Sequence, residues 1–124
     1  MAESKLSIEV DRLRNTQSQV CAVLYDNARS FLKEGREIKK QCLPIETSTA
    51  YFEWVALPLG EYAVLIIHDE NNNDRVDTNF FGIPKEGVGT SNNPVTRFRP
   101  PSFNQSKFEL KDEETKLVIH TIYR

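Results

Sequence analysis

Two runs dense in aromatic and β-branched residues, Tyr51-Phe52-Glu53-Trp54-Val55-Ala56-Leu57 and Tyr62-Ala63-Val64-Leu65-Ile66-Ile67, flank Pro58-Leu59-Gly60-Glu61. Such residues fit a pleated, half-buried surface and Pro-Leu-Gly supplies turn chemistry, so the pair reads as a β-hairpin. The second run is apolar at odd and even positions alike, which on a strand means that both faces are covered. A chain containing such a strand must build a layer on each side of it.

The remaining patterns agree. Leu6, Ile8 and Val10 alternate, and Val20, Ala22 and Leu24 interleave with Cys21, Val23 and Tyr25, the period of strands. The short polar link Arg14 to Ser18 between these runs suggests an antiparallel pair. Ser30 to Gly35 reads as one helical turn ended by glycine, and about Arg36 to Ile45 as an extended stretch. Ser106 to Leu110 and Leu117 to Tyr123, joined by the charged turn Lys111 to Thr115, suggest a closing hairpin. Six or seven short strands with almost no helical period give an all-β fold, an antiparallel β-sandwich in a single domain, 1–124. Trp54 falls in its core.

Lys and Arg number 16 against 18 Asp and Glu, without the basic patch that a phosphate backbone requires, so nucleic acid is not an expected partner. The longest wholly apolar run, Ala63 to Ile67, is far too short for a membrane span. The opening Met1-Ala2-Glu3-Ser4-Lys5 has no signal-peptide pattern, although a start just after a cleaved signal reads the same way, so the compartment stays open. Cys21 and Cys42 lack metal spacing and are too few for a disulfide scaffold; the expectation is two buried free thiols rather than a disulfide.

Between His68 and Asn93 the composition changes: five acids, six asparagines and three of the five glycines fall in 26 residues. With its extension to Ser102 this makes a connection, 68–102, far longer than the ~12 to 15 residues beyond which structureless loops are uncommon in compact domains, and such loops are usually functional or disordered. Val76, Phe80, Phe81, Ile83, Val88 and Phe98 offer it apolar anchors, so a packed Ω-like excursion is expected. Asp69, Asn71, Asn73 and Asp77 occupy the first, third, fifth and ninth positions of an EF-hand-like calcium loop, with the Arg75 carbonyl at the seventh. Alternate short oxygen side chains on a tightly wound loop converge on one ion. Asp74 stands where glycine is usual, and Phe80 where the bidentate Glu belongs, so the missing ligand falls to Glu86 or Glu70. The competing explanation is that these Asp and Asn residues form Asx-turns and hold no ion.

The order of motifs Leu57-Pro58-Leu59-Gly60-Glu61-Tyr62-Ala63-Val64, then His68-Asp69-Glu70-Asn71-Asn72-Asn73 with Asp77, then Gly82-Ile83-Pro84-Lys85-Glu86-Gly87-Val88-Gly89 and Ser91-Asn92-Asn93 resembles a small bacterial family known only as a domain of unknown function. The match runs through Pro101-Ser102-Phe103 to the closing hairpin. The resemblance implies a single immunoglobulin-like or transthyretin-like sandwich, usually exported to the periplasm or beyond the cell, with no established activity.

Two functional classes follow. The first is a non-enzymatic accessory or binding domain for a protein or carbohydrate ligand, calcium-stabilised through the loop. His68, Phe80, Phe81, Asn92 and Asn93 are its ligand-facing candidates: phenylalanine faces pack against a sugar or peptide, and carboxamides read polar groups. The opposed class is a small hydrolase in which His68, with Glu86 or Asp69, acts as general acid or base. No Ser, Cys or Thr stands in a recognisable nucleophile context, which places the binding domain first and catalytic residues at none. Neither His68 nor His120 has a partner at zinc-ligand spacing.

Overall fold

The computed structural model describes residues 3–33, 35–69, 87–94 and 100–123. Eight strands and one helical turn follow in order: β1 (Glu3–Asp11), β2 (Gln19–Tyr25), β3 (Lys39–Pro44), β4 (Ala50–Pro58), β5 (Gly60–Asp69), β6 (Gly87–Thr90), α1 (Phe103–Ser106), β7 (Phe108–Leu110) and β8 (Glu114–His120). One sheet has the order β4-β1-β8. The other has the order β3-β2-β5-β6, with β7 also on β5. Between them lie Leu6, Ile8, Val10, Phe52, Leu57 and Ile119 from the first sheet and Val20, Ala22, Leu24, Val64, Ile66 and Leu110 from the second. The architecture is the expected β-sandwich.

β5 explains the two-layer requirement. Its even residues Val64 and Ile66 face the other sheet, while Ala63, Leu65 and Ile67 join Val23, Tyr25, Phe31 and Phe103 in a second cluster on the outer face. Phe31 meets the rings of Tyr25 and Phe103 edge-on, with centroids 5.4 and 5.8 Å apart. The segment after β2 and the single turn α1 therefore act as a lid over that face. The Ser102 hydroxyl and Gln105 side chain form a reciprocal capping box on α1, which satisfies two end donors that so short a helix leaves bare.

None of the three expected hairpins forms. β1 pairs with β4 and, in parallel, with β8; β2 pairs with β3 and β5; β7 pairs with β5. Each short connection instead carries the chain from one sheet to the other. The physical reason is that facing sheets lie only ~10 Å apart and neighbouring strands ~4.8 Å, so a few residues at ~3.3 Å each span either gap. At the β4–β5 corner the Tyr62 hydroxyl donates to Pro58 O at 2.6 Å, and Gly60 takes φ +153°, where a side chain would be strained. With β1 and β2 in opposite sheets, the winding also differs from the immunoglobulin order, in which the first two strands share a sheet.

Four further expectations change. The long connection 68–102 is interrupted by β6, which pairs with β5. Residues 30–32 make a turn rather than helix, and Gly35 sits at φ +80°. Trp54 is half-buried and packs against the edge of the core. Finally, Cys21 and Cys42 are not free thiols: they form a disulfide. They are direct cross-strand partners of β2 and β3, with Cα atoms 4.0 Å apart. That facing pair was hidden as long as β2 was assigned to β1 as its neighbour.

Candidate functional site

Adjacent residues of a strand point to opposite faces, and β5 ends in His68 and Asp69. His68 follows Val64 and Ile66 inward, and Asp69 follows Leu65 and Ile67 to the outer side; both are fully buried. The two side chains are thus separated by the sheet itself, and no His68–Asp69 acid–base dyad is built.

His68 is held at both ring nitrogens. Nε2 lies 3.0 Å from Gln17 O, and Nδ1 lies 2.7 Å from the Tyr123 hydroxyl, which also accepts from the Arg14 backbone N–H at 3.0 Å. A carbonyl only accepts, so the Gln17 contact places a proton on Nε2. In the neutral imidazole Nδ1 is then the acceptor, and the Tyr123 O–H donates to it while its oxygen accepts from Arg14 N–H. The Arg14 guanidinium lies 4.3 Å from the Tyr123 ring centroid, within cation–π range. On the other face the Gln19 carboxamide donates to Asp69 Oδ2 at 3.1 Å, and Gln19 and Asp69 are also backbone partners of β2 and β5.

His68 is the register partner of Gly87 in β6, so the connection between β5 and β6 leaves and returns at directly facing positions. Of the expected loop ligands, Asp69 belongs to this frame. Glu70, Asn71, Asn73, Arg75, Asp77 and Glu86, together with Phe80 and Phe81, lie outside the described residues, as does Phe98.

Where β6 enters, each residue of Gly87-Val88-Gly89-Thr90-Ser91-Asn92-Asn93 has a structural partner. A Cβ on Gly87 would come within 2.4 Å of the Tyr123 ring, and one on Gly89 within 2.6 Å of His120 O; only glycine lets β6 lie this close to the end of β8. Val88 exchanges both backbone hydrogen bonds with Ile122 at 3.0 and 2.7 Å. Ser106 Oγ donates to Thr90 Oγ1 at 2.9 Å. The buried Ser91 hydroxyl accepts from Val64 N at 3.0 Å and donates to Ser106 O.

Asn92 and Asn93 sit at φ +69° and +49°, a conformation that Asn tolerates better than other residues bearing a side chain. Asn92 Nδ2 donates to Lys107 O at 2.6 Å. Asn93 Nδ2 donates to Val118 O at 2.9 Å, and its Oδ1 accepts from His120 N at 2.8 Å. The carboxamides proposed from sequence as ligand readers are thus engaged with the backbone at α1–β7 and β8. Beyond Asn93, His120 Nδ1 lies 2.7 Å from Asp11 Oδ1, its register partner in the parallel pair.

The resulting assembly is a clasp. It ties β5 and β6 of one sheet to the end of β8 in the other, with the His68–Tyr123 contact inside it and the mouth of the β5–β6 connection beside it. Tyr123, Gln17 and Gln19 were not anticipated from the sequence: tyrosine and glutamine beside a strand carry no spacing signal. The Thr-Ser-Asn-Asn run, two small hydroxyls followed by two residues suited to positive φ, was the visible trace of the clasp.

No curated protein and no solved structure matches the chain. A family model spans residues 8–118, from β1 to within β8, and so takes in strands of both sheets and the β6 side of the clasp. The chain therefore belongs to DUF2141, a family described as uncharacterized proteins conserved in bacteria.

Proposed function

We propose that the protein is a non-enzymatic accessory or binding domain whose sandwich is a rigid frame for the β5–β6 connection, and that this connection holds calcium through Asp69, Asn71, Asn73, the Arg75 carbonyl and Asp77, with Glu86 completing the set. The observation that supports it is the paired exit and entry at His68 and Gly87, beside an Asp69 carboxylate already oriented by Gln19. A hard-oxygen donor fixed at the root of an Asp- and Asn-rich segment suits calcium chemistry. A loop whose two ends are already held together gives up less entropy when it closes on an ion. The hydrolase alternative is less favoured because His68 has both ring nitrogens engaged within the frame, leaving neither for proton transfer with a substrate.

The Cys21–Cys42 disulfide supports an oxidising compartment, the periplasm or the cell exterior, as the place of action. Binding is tested by titrating calcium chloride and, separately, magnesium chloride while following backbone amide NMR signals. Saturable calcium shifts centred on Asp69, with a dissociation constant on the order of 10⁻⁴ to 10⁻³ M and a weaker magnesium response, are expected. Uniform, non-saturating shifts would remove calcium from the proposal.

A further inference from the structure

The sheet β4-β1-β8 turns Leu6, Ile8 and Val10 of its central strand into the core, so Lys5, Ser7, Glu9 and Asp11 point outward. Register places Glu9 between Tyr51 of β4 and Val118 of β8, with neighbouring strands ~4.8 Å apart. Tyr51 is 66% exposed and Val118 47%, and Val55, further along β4 on the same face, is 62% exposed. Three of the six exposed large apolar side chains among the described residues thus share one face. The charges around them are matched within the chain. Lys5 Nζ lies 3.2 Å from Glu53 and 3.3 Å from Glu114, Lys116 Nζ lies 3.7 Å from Glu114, and Asp11 meets His120 at 2.7 Å and Arg12 at 4.0 Å. Glu9 is the exception: half-buried in the middle row, it has no ion-pair partner among the described residues.

We propose that the row Tyr51, Glu9, Val118 docks an arginine side chain of a partner protein. The occupant follows from charge and shape together. A carboxylate that the face leaves unmatched calls for a cation, and the exposed aromatic ring beside it favours a guanidinium, which is planar and weakly hydrated and can stack on the ring while its N–H groups meet the carboxylate. Val118 and Val55 offer apolar surface to the arginine stem and to the residues flanking it. A neutral sugar would leave Glu9 unmatched, and a phosphate would be repelled by it. A two-fold pairing of this face with itself about Glu9 would set one Glu9 against the other, so a second copy of this chain is not the occupant. The surface belongs to the sheet that does not carry the β5–β6 connection, so the proposal is independent of calcium binding.

The test titrates the full chain at low salt with the peptide acetyl-Leu-Ser-Arg-Ser-Leu-amide, and with the same peptide carrying citrulline, the neutral isostere, in place of arginine, while backbone amide NMR signals are followed. Saturable shifts centred on Glu9, Tyr51 and Val118 are expected with the arginine peptide, weakening as salt is added. Glu9→Gln and Tyr51→Ala, both on the solvent side of the sheet, should each weaken binding about threefold, the size of an exposed ion pair or cation–π contact, and citrulline, which loses both, about tenfold. Glu61→Gln removes one acid from the other sheet, where Glu61 pairs with Lys107, and should leave the affinity unchanged. Absence of saturable shifts, shifts centred elsewhere, equal binding of the citrulline peptide, undiminished binding by Glu9→Gln or Tyr51→Ala, or an equal loss in Glu61→Gln, which would mark mere attraction to net charge, would each overturn the proposal.

Discussion

Reduction of the Cys21–Cys42 bridge should cost the fold about 3 kcal/mol. The two cysteines are 21 residues apart, and in the chain-entropy description a closed loop of that size removes roughly 11 cal/mol/K from the unfolded chain, or about 3.3 kcal/mol at 25 °C. The native contacts around the bridge survive reduction, because β3 keeps its backbone ladder to β2 from Lys39 to Pro44 and Ile45, just beyond it, stays in the main core. The effect is therefore one of stability, with the fold intact. For a chain of 124 residues the unfolding entropy is about 260 cal/mol/K, so each kcal/mol moves the midpoint by about 4 °C and the full loss by about 13 °C. Thermal unfolding followed by circular dichroism, with and without a dithiol reductant, measures the shift, and alkylation with mass analysis verifies that both sulfurs were reduced. Midpoints within about 2 °C of each other after verified reduction would refute the entropic reasoning. Two free thiols in the denatured, unreduced protein would refute the bridge itself.

The other expectations concern the clasp and the lid. Gly89→Ala drives a methyl toward His120 O, a backbone atom that cannot step aside, and should destabilise by about 2 kcal/mol or more in denaturant titration; Gly87→Ala meets the Tyr123 ring, which can swing away, and should cost less while loosening the His68 contact. Tyr123→Phe leaves His68 Nδ1 without its donor and Arg14 N–H without its acceptor, a loss of about 1–3 kcal/mol by the same assay. Burial first, and the negative charge of Glu37 second, push the Tyr25 phenol up to about 12. Because its folded value lies above its unfolded one, the associated stability is complete below pH ~10 and is lost as pH rises through the folded value. Tyr25→Phe should flatten that part of the alkaline stability profile, measured against the wild type.

What the sequence conveyed was periodicity, and periodicity gives strands and faces. Val64 and Ile66 against Ala63, Leu65 and Ile67 announced a strand buried on both sides, and the structure supplies a layer for each. Partners are a different matter, because alternation along Leu6, Ile8 and Val10 is the same whether the neighbour is β2 or, as found, β4 and β8. The disulfide was lost with the pairing, since facing cysteines are recognisable only once their strands are adjacent. The site divides in the same way. Asp69 was legible from its spacing in an acidic run. The separation of Asp69 from His68 by the sheet was implicit in their adjacency once β5 was extended to include both. Asn92 and Asn93 stood out as polar residues after a glycine-rich stretch, but a carboxamide aimed at a strand edge and one aimed at a ligand are identical in sequence. Only the parallel neighbour of β1 reveals which edge there was to close.

Calcium-dependent thermal unfolding bears most directly on the proposed role. With a dissociation constant between 10⁻⁴ and 10⁻³ M, 10 mM calcium should stabilise the folded chain by about 1.4 to 2.7 kcal/mol, which at about 4 °C per kcal/mol raises the midpoint by roughly 5 to 10 °C. Excess chelator should reverse the rise. Asp77→Asn should abolish most of it while unfolding like the wild type in chelator. Coincident midpoints in calcium and chelator, or a calcium-induced rise that survives both Asp77→Asn and Asp69→Asn, would contradict calcium binding by the loop and leave its asparagines as turn-formers alone.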